Sequence, residues 1–399
     1  MALTLQTAIK GAGSSTAVII PSKPNPLTVT YNDLIKETAS FQQKLAAIGI
    51  TEGAPVSIAT VNSYEFIISF LAASWQRGIA APLNPAYKQD EFEFYIEDVK
   101  SAIVLVPRGA YQSNAPAVQA AKKFNAAIAE TYWDPSKKEV ALDVKELGQL
   151  QGKPKEQILK PEPSDVALVL HTSGTTSRPK VVPLTHANLT RTMSNIQKTY
   201  ELTDKDRTML VMPLFHVHGL LCGLLAPFLS GGSMIVPTKF SAGEFWQDFA
   251  AHKANWYTAV PTIHQILLKN PTPNPLPAIR FIRSCSSPLS PTVFHNLEKT
   301  YKAPLDNVLT RHPAVSEAVS FAIPDDMYGQ DIGVAVVLKS GEKLEQDELR
   351  KWIADKLAKF KVPKKVYFTE TMPKTATGKI QRRIVAEIMQ KQDVPKAKL

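Results

Sequence analysis

The stretch His171-Thr-Ser-Gly-Thr-Thr-Ser-Arg-Pro-Lys180, entered from the apolar run Val166-Ala-Leu-Val-Leu170, decides how this chain folds. An apolar strand that empties into a small, hydroxylated, basic loop is a way to hold a polyphosphate. Backbone N–H groups and hydroxyls meet the oxygens, glycine lets the backbone approach, and the cation balances charge. No Gly-x-x-x-x-Gly-Lys-Ser/Thr pattern is readable, so this is not a Walker A loop. A polar surface turn is the bland alternative, and the length and setting of the motif argue against it.

Working outward, apolar strands and amphipathic helices alternate. Thr30 or Asn32 can cap a helix in which Leu34, Ile35, Phe41 and Leu45 recur near helical spacing. Strands are predicted at Val56–Ala59, Ile103–Val106, Val166–Leu170, Met209–Met212, Met234–Val236, Tyr257–Val260 and Ile279–Ile282. Helices are predicted over Glu65–Trp75, from about His186, over Phe245–His252 and over Pro291–Tyr301. The alternation implies an α/β fold, a largely parallel sheet covered by helices. Gln151 to Pro163 is a polar, proline-bearing connector. From Asp306 the texture changes to strands at Ala318–Ile323, Gly333–Leu338 and Lys365–Phe368, with helices over Gln346–Ala358 and Lys379–Met389. That is a small α+β unit. The predicted domains are therefore 1–305 and 306–399.

The chain has 399 residues, more than one hydrophobic core usually holds. No apolar run is long enough to cross a bilayer, and the start lacks a basic-then-apolar signal pattern. Cys222 and Cys285 read as buried free thiols of a reducing compartment. The net charge of +10 is spread along the chain without an arginine-rich tract. It suits an enzyme handling anionic substrates and does not call for nucleic acid. His216 and His218 lack a third nearby ligand, so no metal site is predicted.

The loop resembles the ATP-phosphate loop of the adenylate-forming superfamily: acyl-CoA synthetases, luciferases and peptide-synthetase adenylation domains. Met212-Pro-Leu-Phe-His-Val-His-Gly219, Trp256-Tyr-Thr-Ala-Val-Pro261 and Pro373-Lys-Thr-Ala-Thr-Gly-Lys379 match in the family's order. With Arg280-Phe-Ile-Arg-Ser-Cys285, the set is similar to the oxalate–CoA ligase branch of fungi and plants. The resemblance implies ATP, Mg2+ and coenzyme A as cofactor and co-substrates. It implies that Thr172, Ser173, Gly174, Thr175 and Thr176 bind the β- and γ-phosphates and that Lys180 adds a point charge. By the same resemblance Lys379 is catalytic, swinging in to stabilise the α-phosphate during adenylation, and His216 lines the acid pocket. His264, Arg283, Ser284 and Ser286 fall in the stretches that would complete that pocket. Polar and cationic groups there disfavour fatty tails and favour a short dicarboxylate such as oxalate.

Two departures stand out. Relatives usually have glycine at Val181, where a β-branched residue would disturb a turn needing positive φ. Around Leu305/Asp306, relatives carry a domain-sized segment with the Mg2+ carboxylate and the ribose aspartate. Here the N-terminal domain is truncated, which would lower activity. The predicted function is an ATP-dependent ligase of oxalate or another short acid. The alternatives are a non-catalytic nucleotide-binding pseudoenzyme or short isoform, and a ligase for a longer acyl or aromatic acid. Ala397-Lys398-Leu399 resembles a peroxisomal address and implies an import receptor as partner. The peroxisome matrix is the expected location, with the cytoplasm as the second compartment.

Overall fold

A computed structural model describes residues 3–21, 25–172, 179–287, 289–302, 312–325, 329–355, 362–374 and 380–391. They form two compact units, Met1–Thr258 with Thr272–Ile279, and Ala259–Pro271 with Arg280–Leu399.

The first unit opens with a helical turn α1 (Leu5–Ala8), strands β1 (Thr16–Ile20) and β2 (Leu27–Thr30), and helix α2 (Tyr31–Ala47). The Thr30 side chain accepts from the Asp33 amide and Asp33 answers onto the Thr30 amide, a reciprocal cap that starts α2 at Tyr31. Alternation follows: β3 (Pro55–Ile58), α3 (Tyr64–Trp75), β4 (Ile79–Pro82), α4 (Gln89–Val99), β5 (Ile103–Pro107), α5 (Pro116–Lys123) and β6 (Ala127–Asp134). Every residue of α3 except Glu65 is buried. A helix apolar nearly all round belongs inside.

Strands β7 (Glu139–Glu146), β8 (Val166–Thr172) and β9 (Lys180–Thr185) complete a seven-stranded sheet ordered β7-β6-β5-β3-β4-β8-β9. Its five middle strands are mutually parallel. The two margins pair antiparallel. One margin, β7, carries Glu139, Asp143 and Lys145. The other, β9, carries Pro183 in its middle. The predicted parallel sheet is present, while neither marginal strand is among the predicted elements.

After α6 (His186–Tyr200), β10 (Arg207–Leu210) leads through a turn into a π-helical stretch, His218–Leu225, and α7 (Ala226–Ser230). Then come β11 (Ser233–Ile235), α8 (Phe245–Ala251) and β12 (Trp256–Ala259). In a second sheet β10 lies between β11 and β12, and β1 lies between β11 and β2. Its β1–β11, β10–β11 and β10–β12 pairs are parallel.

The second unit holds α9 (Pro261–Lys269), β13 (Phe281–Ser284), α10 (Pro291–Tyr301), β14 (Val315–Asp325), β15 (Gly329–Leu338), α11 (Gln346–Ala354), β16 (Lys365–Phe368) and α12 (Arg382–Lys391). Strands β14, β15 and β16 form one sheet. Their period-2 alternation splits the core in two. Val319, Phe321, Ile323 and Ala335 pack with Val385 and Met389 of α12. Val334 and Val336 pack with Leu349 and Ile353 of α11. Among the described residues α11 ends at Ala354, short of the predicted Ala358, and α12 begins at Arg382. Residues 303–311, which include the junction at Leu305/Asp306, lie outside the described residues.

Candidate active site

The phosphate motif is mounted on a hairpin. Strand β8 runs out through His171 and Thr172, and β9 returns antiparallel, with Thr172 opposite Lys180 and His171 opposite Val181. The sequence predicts a helix after the loop and no strand at β9, because Pro183 reads as a break. Proline is tolerated there because β9 lies at the sheet margin. Lys180 is exposed at the first position of β9. Val181 lies in the paired strand, 40% exposed, and is not among the residues with positive φ. The strain expected of it at a turn does not arise. The N-terminus of α6 is capped by its own residues, Thr185 Oγ1 accepting from the Asn188 amide at 3.2 Å and Asn188 Oδ1 from the Thr185 amide at 3.1 Å. Ser173, Gly174, Thr175, Thr176 and the Thr172 side chain lie outside the described residues, as do Lys379 and Ala397-Lys398-Leu399.

His216 sits in the turn after β10. Asn62, buried in the β3–α3 connection, holds that turn from both sides. Its Nδ2 donates to the Met212 carbonyl at 3.1 Å and its Oδ1 accepts from the Leu214 amide at 2.7 Å. Gly219 closes the turn so tightly that a Cβ there would stand 2.2 Å from the Pro213 carbonyl oxygen. This steric demand accounts for the glycine of the Pro-Leu-Phe-His-Val-His-Gly motif. His218 turns inward, 4% exposed, with Nε2 2.7 Å from Thr258 Oγ1. Burial, then the neighbouring His216, push its pKa down to about 4, so it is neutral at pH 7. His216 is exposed to solvent, yet crowding by its surroundings lowers its pKa as well.

His216 borders an open-mouthed cavity of about 200 Å³ at the carboxyl ends of β4 and β8, with Leu83, Asn84, Tyr87, Tyr95 and His171 on its other walls. Ligands of parallel sheets gather at such strand ends. Tyr95 and Asp98, three apart on α4 and so on one helix face, both reach His171. Asp98 Oδ2 lies 3.0 Å from His171 Nε2, and the Tyr95 ring meets the imidazole edge-on at 4.6 Å. Tyr87 stacks on Tyr95 at 4.9 Å. No motif in the sequence singles out Tyr87, Tyr95 or Asp98. His171 heads the quoted motif, but only strand register shows which way it faces, and its partner is 73 residues away.

The other pocket candidates belong to the second unit. His264 is fully buried on α9. Arg283 and Ser284 lie on β13 with Arg283 8% exposed, its guanidinium 5.4 Å from the centre of the Phe281 ring. Ser286 follows at a left-handed φ of 72°, exposed. The structure thus brings Arg283, Ser284 and Ser286 to one strand end. Cys222 and Cys285 form no disulfide and are half-buried, less enclosed than expected. Among the described residues no three His, Cys, Asp or Glu side chains cluster as a metal site.

The sequence pattern of AMP-binding enzymes matches residues 5–323, and that of their C-terminal domain matches residues 305–379. The chain belongs to the AMP-binding enzyme family. The oxalate–CoA ligase of Saccharomyces cerevisiae is 34% identical, with 96% of each chain covered. That of Arabidopsis thaliana is 33% identical, covering 93% of this chain and 95% of the relative. The yeast alignment runs over 524 positions, more than the 399 residues present, so the relative carries residues this chain lacks. Among solved structures, apo MatB from Rhodopseudomonas palustris superposes with a TM-score of 0.66 at 18% identity, covering 97% of this chain and 99% of that one. It shares the fold. Family members are enzymes, and adenylate-forming CoA ligases use ATP and CoA, typically with Mg2+. No described helix is long and apolar enough to cross a membrane.

Proposed function

We propose that this member of the family is an ATP-dependent carboxylate–CoA ligase for oxalate or another short acid. The observation that carries the reading is the end-to-end similarity to oxalate–CoA ligases of yeast and Arabidopsis. A carboxylate oxygen attacks the α-phosphorus of ATP and pyrophosphate leaves. The CoA thiol, giving up its proton, then attacks the acyl carbonyl and AMP leaves.

In this proposal Thr172, Ser173, Gly174, Thr175, Thr176 and Lys180 hold the β- and γ-phosphates, and Lys379 stabilises charge at the α-phosphate. His216, His264, Arg283, Ser284 and Ser286 line the acid pocket. The N-terminal catalytic domain runs to residue 305, and the C-terminal domain begins at 306. The terminal Ala-Lys-Leu addresses the chain to peroxisomes through an import receptor.

A pyrophosphate-release assay over oxalate, malonate, medium-chain fatty acids and 4-coumarate tests the reading. Oxalate or malonate should lead, and preference for a fatty or aromatic acid overturns it. The surplus length of the yeast alignment supports a second reading, a nucleotide-binding chain without catalysis. Calorimetric ATP binding with no pyrophosphate exchange under any acid would select it.

A further inference from the structure

Apart from His216, the cavity at the carboxyl ends of β4 and β8 has no role in the function proposed above. Its walls combine two imidazoles, an amide and stacked phenols over a small volume. About 200 Å³ is room for a few waters at ~30 Å³ each. It falls below the ~300–1,000 Å³ of pockets for drug-sized ligands. That volume suits a group the size of a carboxylate better than a nucleotide or a long acyl chain.

We infer that this cavity receives the second carboxylate of a short diacid, the one that does not react with ATP, and that His171 meets it. The inference rests on the short-acid reading and names a part of that site. His171 is held in place before any ligand arrives. Its Nε2 faces Asp98 Oδ2 at 3.0 Å, and the Tyr95 ring packs against it at 4.6 Å. Its side chain is only 8% exposed, so it has few other orientations to lose on binding.

In the complex we infer, His171 keeps Asp98 on Nε2 and meets the arriving carboxylate through Nδ1, and Asp98 lies where it balances the charge of that contact. Asn84 also lines the cavity; its Oδ1 accepts from the Ala86 amide at 3.0 Å, which leaves its Nδ2 group as the donor end. His216 lines the same cavity. A methyl group in place of the second carboxylate would leave these donors unpaired, which penalises monoacids more than a mere loss of contact would.

The test pairs kinetics with a binding readout on the full chain. His171→Gln should raise KM for oxalate and malonate about tenfold or more, the loss of a charge-assisted hydrogen bond, and should leave KM for ATP in place. The preference for malonate over propionate should shrink, and Asp98→Asn should move it the same way. Melting temperature and ATP binding of each variant report folding. In imidazole 1H–15N spectra, malonate should move the His171 resonances, assigned through His171→Gln, and acetate should not.

Still resonances under saturating malonate, or equal losses on mono- and diacids, overturn the subsite while the short-acid reading stands. Should the wild-type chain adenylate only fatty or aromatic acids, the short-acid reading falls, and the malonate titration alone decides whether the cavity binds the anion.

Discussion

His186 shows how one buried imidazole is read. Its Nδ1 accepts from the Leu5 amide at 3.0 Å, so its proton sits on Nε2, 3.2 Å from the Ser74 carbonyl. A second proton would face an N–H donor. Burial holds its pKa down to about 4, as it does for His218. Both groups bind protons more readily unfolded, near 6.5, than folded. Their contribution is therefore intact above pH 6.5 and lost as pH falls from 6.5 towards 4. Each histidine costs about 1.4 kcal/mol per pH unit across that window. Thermal melts from pH 7.5 to 4.5 should show this slope, and His186→Gln, which can still accept and donate, should flatten it. An unchanged slope in that variant would assign the effect elsewhere. At the same scale, Lys379→Ala should abolish adenylation while sparing thioester formation from supplied oxalyl-adenylate. Equal loss of both steps counts against its assigned role. A lysine suits that task better than arginine, being a compact charge on a flexible stem.

Among elements, the turn between β10 and the π-helical stretch is tightly constrained. Asn62→Ala leaves the Leu214 amide and the Met212 carbonyl without their side-chain partner, which should cost about 1–3 kcal/mol for each buried group. Asn62→Asp keeps the acceptor for Leu214 and should recover part of the loss. In an active chain, Asn62→Ala should raise KM for the acid more than for ATP, because the displaced turn carries His216. Denaturant melts and acid and ATP titrations check both halves, and a variant with wild-type stability would remove Asn62 from this role. The elements also show what a sequence yields. Thr30 was legible as a cap because its partner is three residues away, and α3 because its apolar run is long. Strand β9 was hidden by Pro183, whose tolerance depends on a place in the sheet that the chain does not announce. The His171–Asp98 pair was hidden because α4 meets β8 only once the sheet order is known. Residues of the phosphate loop were legible as a motif, while their geometry lies outside the described residues.

For the whole molecule, length is the feature that matters most. Relatives carry extra residues within the aligned span, and we propose that the shortfall lies at Leu305/Asp306. Inserting the corresponding segment of the yeast ligase there should raise pyrophosphate release with oxalate by at least about tenfold, if a ribose or metal contact worth 1.4 kcal/mol or more is restored. No gain in a folded chimera would count against the shortfall as what limits pyrophosphate release.

The margins of the seven-stranded sheet have a bearing on behaviour in concentrated solution. One border presents charge and the other a proline, two devices that stop a foreign strand from zipping on. A preparation kept for weeks should therefore resist fibre formation from this sheet, and Pro183→Val is the single change that would invite it.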